Sequence, residues 1–271
     1  DQYEEYAKMV EAASGLPLTI RTLDLGGDKL LDGLNQQREA NPFMGFRAIR
    51  YCLSNPAVFL DQLRAILRAS AHGNMRIMLP MISGVGEVIR TKEFIAQAKR
   101  ELDSRGEKYD PEIPLGCMIE TPAAVAICDL LAQESDFFSV GTNDLVQYLL
   151  AVDRVNNEIA FLYEPHHPAV LRSLKQVASV AGEKNLPVTL CGEISGDPHF
   201  LPLLIGLGFD SFSASPSMVL EMKFFARRFN QLDVEKITRE AESKFRPSEI
   251  KELIKNFYED RVSEASVSET L

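Results

Sequence analysis

Apolar residues in this chain fall into two kinds of run, and the two alternate. Short runs with few charges read as strands: 18–25 (LTIRTLDL), 75–82 (MRIMLPMI), 115–120 (LGCMIE), 136–141 (DFFSVG), 187–192 (PVTLCG) and 210–215 (DSFSAS). Residues 43–50 (FMGFRAIR) stand between a short strand and a helix start. Near-continuous apolar runs suit strands buried on both faces, as in parallel sheets. Longer stretches with helical spacing lie between them. In 3–14, Tyr6, Met9, Val10 and Ala13 share one face; further helices are expected near 56–70, 84–104, 122–133, 168–183 and 198–206.

Four helices carry the same start signal. Asn55-Pro56, Thr121-Pro122, His167-Pro168 and Asp197-Pro198 each place Pro in the first turn, and Asn, Thr and Asp are good N-caps. Past residue 216 strands cease. Helices are expected near 217–229, 233–245 and 248–260, and 263–271 reads as a polar, mobile tail. Nothing splits the remainder, so 1–262 is expected to be one domain. Strand–helix alternation gives an α/β class with a parallel sheet. The length of 271 residues is close to that of a TIM (β/α)8-type barrel. The pattern supplies six strands and a doubtful seventh, opens on a helix, and makes up its length with extra C-terminal helices. The expectation is a barrel lacking its first strand.

Composition narrows the class. With 45% hydrophobic and 25% charged residues the chain is neither disordered nor, lacking any ~18-residue uncharged apolar stretch, membrane-spanning. Its 29 Lys and Arg against 39 Asp and Glu give −10, a poor match for nucleic acid or an anionic membrane. Any anionic ligand must be held by a local cationic cluster. The four cysteines show no CxxC or zinc-like spacing, which suits reduced thiols and a cytoplasmic location. The N-terminus has neither signal-peptide character nor a Met, and a piece of a longer polypeptide is expected.

Polar residues interrupt the apolar runs mainly at their C-terminal ends: Asp24, Glu120, Asn143-Asp144 after Gly141-Thr142, and Cys191 before Gly192-Glu193. In a parallel barrel those ends open on the catalytic face. Glu120 and Asp144 offer hard oxygen donors that suit Mg²⁺, which takes one or two protein carboxylates and completes its shell from substrate and water. The alternative is that Glu120 and Asp144 cap the helices beginning at Pro122 and Leu145. Arg21, Arg47 and Arg154 are candidate anion holders, because a forked guanidinium matches phosphate and carboxylate. The alternative is three ordinary ion pairs. Cys191 is either a buried inert thiol or, at the rim, a proton donor that stays protonated at neutral pH. None of the four histidines is assigned a catalytic role.

Taken together, these segments resemble the C-terminal, phosphoenolpyruvate (PEP)-binding domain of enzyme I of the bacterial phosphotransferase system, from about residue 3 to 260. The motifs are Arg21-Thr22-Leu23-Asp24-Leu25-Gly26-Gly27-Asp28-Lys29, Asn41-Pro42-Phe43-Met44-Gly45-Phe46-Arg47, Met118-Ile119-Glu120-Thr121-Pro122-Ala123, Ser139-Val140-Gly141-Thr142-Asn143-Asp144-Leu145, Ala151-Val152-Asp153-Arg154 and Cys191-Gly192-Glu193. The resemblance implies a (β/α)8 barrel that forms a homodimer, Mg²⁺ (or Mn²⁺) on Glu120 and Asp144, and PEP held by Arg21, Arg47, Asn143 and Arg154 with Lys29 nearby. It implies that Cys191 protonates the enolate to give pyruvate. It also implies a phosphoryl-accepting His in a separate N-terminal domain, which in turn serves a phosphocarrier protein, as the first step of sugar uptake. A nitrogen-regulatory paralogue, pyruvate phosphate dikinase and phosphoenolpyruvate synthase share the barrel, and a pure ligand-binding or dimerisation module is the non-enzymatic alternative. The family's first strand carries one more phosphate-binding Arg, and this sequence starts after it.

Overall fold

The computed structural model describes residues 1–24, 39 and 41–268, with side chains to residue 263. The described residues form two compact units, Asp1–Met118 with Leu130–Phe137, and Ile119–Asp129 with Phe138 onward.

In the first unit, helix α1 (Gln2–Ala12) leads into β1 (Leu18–Arg21). A 3₁₀ turn at Pro42–Met44 precedes α2 (Ala48–Ser54), α3 (Pro56–Ser70), β2 (Met75–Leu79), α4 (Val85–Ser104) and β3 (Leu115–Ile119). The strands are parallel neighbours, with Ile20 beside Ile77 and Met78 beside Gly116. The interior is built by Phe59, Leu63 and Ile66 of α3 against Met75, Ile77 and Leu79 of β2, all essentially inaccessible to water. Helix α1 packs on α3. Its partners include Arg68, whose guanidinium stacks 4.0 Å over the Tyr3 ring, and Gln62, which donates to Tyr6 Oη at 3.2 Å.

In the second unit, α5 (Pro122–Ala126) and the start of α6 (Cys128–Leu131) are followed by β4 (Phe137–Gly141) and α7 (Thr142–Leu150). Then come α8 (Pro168–Glu183), β5 (Val188–Cys191), α9 (Leu201–Gly206) and β6 (Ser211–Phe212). Helices α10 (Pro216–Ala226), α11 (Gln231–Glu242) and α12 (Pro247–Ser268) close the chain. Val140 lies beside Leu190, and Leu190 beside Phe212, so this sheet too is parallel. Six parallel strands alternating with helices give the order of a (β/α)8-type barrel, carried with six strands among the described residues.

Several expectations need correction. Of the two readings left open for residues 43–50, the helix start holds and the strand does not, because Ala48 to Arg50 open α2. The expected helix 122–133 breaks at Ile127, whose ψ of 23° leaves the helical range, and becomes two short helices. Helix α7 begins directly at Thr142, so Asn143 and Asp144 lie inside its first turn, not ahead of it. At Asp197-Pro198 the Asp carboxylate accepts from the His199 N–H at 2.9 Å and holds a turn, which delays α9 to Leu201. Asn55 does not cap α3: its amide donates to the Tyr51 carbonyl at 2.9 Å and closes α2. His167, the poor cap by type, accepts the Ala169 N–H at 3.1 Å and does cap α8. Helix α12 runs on past residue 263, where the tail was expected to begin, as far as Ser268.

Candidate active site

The first unit gathers one set of charged residues. Arg21 ends β1, and Asp24 follows three residues on. Arg47 stands in extended conformation ahead of α2, and the buried Ala48 takes a φ of 51° to turn the chain into that helix. A non-glycine residue in this left-handed region costs on the order of 1 kcal/mol or more and persists where surrounding structure enforces it. Arg47 donates to Asp24 Oδ1 at 2.8 Å, with both side chains buried, while Arg21 lies 3.6 Å from Asp24 Oδ2 and stays 43% exposed. Two guanidinium groups thus meet at one carboxylate.

The backbone carrying Asp24 is itself fixed. Leu23 N–H donates to Gln62 Oε1 at 2.8 Å, and Cys52 Sγ lies 3.7 Å from the Leu23 carbonyl. Burial, with Asp24 nearby, pushes the Cys52 thiol up to about 12. Thr22 is buried, and its hydroxyl has no hydrogen-bond partner among the described residues. Lys29, with Gly26, Gly27 and Asp28, lies outside the described residues.

The second unit gathers the rest. Glu120 is only 3% exposed, one residue beyond β3. It is not the cap of α5, because Thr121 Oγ1 takes that place, accepting from Ala124 N–H at 3.1 Å. Asp144, 8% exposed, accepts from Arg154 Nη1 at 3.0 Å. Arg154 is positioned in turn by its own N–H, which donates to Gln147 Oε1 at 3.2 Å. Asn143 Oδ1 accepts the Glu193 N–H at 3.0 Å, which leaves the amide nitrogen of Asn143 as its donor face. Asn143, Gly192, Glu193, Asp197, His199 and Ser213 help to line an open cleft of about 780 Å³.

Cys191 ends β5 in register with Gly141 of β4. Its sulfur donates to the Val140 carbonyl at 3.2 Å and accepts from Ser139 Oγ at 3.4 Å. Its own carbonyl accepts from Thr142 Oγ1 at 2.8 Å. A thiolate facing a carbonyl lone pair would be repelled, so this geometry suits the protonated thiol. Tyr163 joins the group through its hydroxyl, which donates to the Asn143 carbonyl at 3.2 Å. Burial pushes the Tyr163 phenol up to about 12; Arg154 pulls it down, while Glu193 and Asp144 push it further up.

The described part of each unit therefore brings together its own share of the expected residues. Arg21 and Arg47 meet over Asp24, an acceptor that the sequence placed at the rim without linking it to them. Asn143, Asp144 and Arg154 meet around α7, and Cys191 is tied to the Thr142 side chain that opens the same helix. Sequence reasoning missed Tyr163, Gln147 and Ser139. Tyr163 lies in a loop with no motif. Gln147 had a signal, a polar side chain among the apolar residues that follow the first turn of α7.

The family described as PEP-utilising enzyme, PEP-binding domain, matches residues 1–231. The chain belongs to this family. Among curated relatives, the phosphoenolpyruvate-protein phosphotransferase of Listeria monocytogenes is 42% identical over 257 residues, covering 95% of this chain and 45% of that protein. The protein of the same description from Cupriavidus necator is 48% identical over 225 residues, covering 82% and 38%. The chain thus spans less than half the length of these relatives. A solved citrate lyase structure from Burkholderia xenovorans is similar with a TM-score of 0.47 and 17% identity, over 78% of this chain and 70% of that one. Among the described residues no helix is long and apolar enough to cross a membrane, and no group of three or more His, Cys, Asp or Glu side chains is placed to hold a metal.

Proposed function

We propose that this chain is the PEP-binding part of a phosphoenolpyruvate-protein phosphotransferase. In the longer protein the phosphoryl group passes to a histidine of an N-terminal domain and pyruvate is released. The observation that carries this reading is that Asn143, Asp144, Arg154 and Cys191 are each held by a hydrogen bond to or from the first turn of α7, in a chain of the PEP-binding family.

The chemistry follows from the side chains. PEP carries a phosphate and a carboxylate. Arg154, fixed on Asp144 through Nη1, keeps further N–H donors in its fork, and the Asn143 amide adds two more. Arg21 and Arg47 add two guanidinium groups in the first unit. Phosphoryl transfer needs mainly such positioning and charge neutralisation. When the P–O bond breaks, its electron pair stays on the substrate oxygen as the enolate of pyruvate. Cys191 then gives its proton to the methylene carbon, forming the C–H bond of pyruvate and leaving a thiolate.

Glu120 and Asp144 are the pair that would hold Mg²⁺, or Mn²⁺. Two buried carboxylates are a fitting donor set for a hard cation that takes the remaining oxygens from substrate and water. Bound there, the ion would neutralise charge on the phosphate and the developing enolate. We assign the full protein to the cytoplasmic, sugar-uptake branch, acting as a homodimer and passing the phosphoryl group on to a phosphocarrier protein.

Calorimetry tests the binding half. PEP should bind in the presence of Mg²⁺, and Glu120→Ala and Asp144→Ala should lose the Mg²⁺-dependent part; if both variants keep it, the metal assignment is wrong. The chemical half needs the full-length protein. Cys191→Ala should still form phosphohistidine yet release pyruvate at least tenfold more slowly, within the range of general acid catalysis. A pyruvate yield equal to wild type would remove Cys191 from the mechanism.

A further inference from the structure

We propose that Ser139 is a positioning residue that sets the acidity of the Cys191 thiol. This inference rests on the reading of Cys191 as the proton donor to the enolate and adds a residue to it.

The geometry is a short relay. Ser139 is the third residue of β4, is buried, and aims its hydroxyl at Cys191 on the neighbouring strand, with Oγ 3.4 Å from Sγ. The thiol in turn points at the Val140 carbonyl, 3.2 Å away. The two neighbours act oppositely. The carbonyl accepts the thiol proton, favours the neutral form, and would repel a thiolate. The serine donates to sulfur in both forms, and a hydrogen bond to an ionised partner is roughly twice as strong as one between neutral groups. Ser139 therefore gives most when the proton has left for the substrate carbon. Without it, the thiolate would face the Val140 carbonyl with one donor fewer, in a half-buried place where solvation is incomplete. The register of β4 on β5, Ser139 beside Thr189 and Gly141 beside Cys191, holds this arrangement through backbone pairing. Removing the hydroxyl thus changes acidity rather than place.

The test reads thiol acidity directly and needs no turnover. The rate at which iodoacetamide alkylates Cys191 is followed from pH 6 to 11 by mass spectrometry of its peptide. Cys52, Cys117 and Cys128 are buried and serve as internal controls. Ser139→Ala should move the Cys191 midpoint up by about one pH unit, tenfold in acidity, while Ser139→Thr, which keeps the hydroxyl, should stay near wild type. An unchanged midpoint in Ser139→Ala, or an equal shift in Ser139→Thr, would overturn the proposal. In the full-length protein Ser139→Ala should slow pyruvate release about tenfold and shift its pH profile in the same direction. The two readings fail separately. Unaltered pyruvate release in Cys191→Ala would overturn the proton-donor role, whereas the alkylation profile alone decides whether Ser139 tunes the thiol.

Discussion

Gly192 holds a φ of 100°, and a β-carbon there would stand 2.3 Å from Thr142 Oγ1 and 2.8 Å from Asn143 Oδ1. Both atoms already have tasks, one fixing the Cys191 carbonyl and the other receiving the Glu193 N–H. Gly192→Ala is therefore expected to cost about 1–3 kcal/mol from backbone strain, read as a lower urea midpoint, and to weaken PEP binding at least tenfold by displacing Asn143. A second residue-scale effect comes from the buried thiols. Folded Cys52 keeps its proton up to about 12 and Cys117 up to about 11, while unfolded thiols lose theirs near the ordinary 9.0. The folded state thus holds more protons in this window. Its stability is complete below pH 9 and falls as pH rises through 11 and 12. Urea unfolding at stepped pH should show that decline, and Cys52→Ala should flatten its slope. At this scale the sequence marked where carboxylates would be buried, because Glu120 and Asp144 interrupt or follow apolar runs where burial would otherwise exclude them. It did not reveal pairings. That Arg154 meets Asp144 and Arg47 meets Asp24 depends on loop paths that carry no periodic signal.

Elements were legible where one pattern dominated. The long helices 56–70, 84–104 and 168–183 match α3, α4 and α8 closely, because their apolar faces repeat over several turns. Short elements were not, since a helix of five residues such as α5 has too few turns to show a period. Its cap decides its start instead. Thr121 Oγ1 accepts the Ala124 N–H, so Thr121→Ala should cost about 0.5–2 kcal/mol and Thr121→Ser much less. Because Thr121 directly follows the buried Glu120, the same alanine variant should also lower apparent Mg²⁺ affinity in calorimetry. Asn230→Ala is the matched control: it removes a capping box from α11, where Asn230 Oδ1 accepts from Leu232 and Asp233, and should cost about 1 kcal/mol without touching Mg²⁺ affinity. Equal effects of the two variants on the metal would show that α5 has no special part in placing Glu120.

At the scale of the whole chain, alternation gave the α/β class and the six strands found among the described residues, with a seventh left doubtful, but the division into two compact units had no linker or composition shift to announce it. The C-terminal helices were legible as helices, and their purpose only from packing. The family match ends at residue 231, yet α12 contributes to the second unit's interior. Phe225 of α10 is fully buried between Phe229 at 5.4 Å, Tyr258 at 4.5 Å and Phe257 at 6.4 Å, and Ile250 and Ile254 are buried on α12. Tyr258 also backs the His199 ring at 4.1 Å, on the wall of the cleft that Asn143 lines, and Arg261 pairs with Asp233 of α11. Burying one large apolar side chain is worth about 1.5–3 kcal/mol, and truncating a core Phe costs about 3–5 kcal/mol. Deleting 247–271 removes several such contacts at once, a loss comparable to the ~5–15 kcal/mol that holds an ordinary domain folded. The shortened chain, although it contains every residue of the family match, should therefore lose near-UV circular dichroism and cooperative melting. Phe225→Ala should give the graded form, with a midpoint lowered by several degrees and PEP affinity reduced through the His199 wall. If the shortened chain melts within 2 °C of the intact one, α12 is an appendage and the cleft is held by the strands alone.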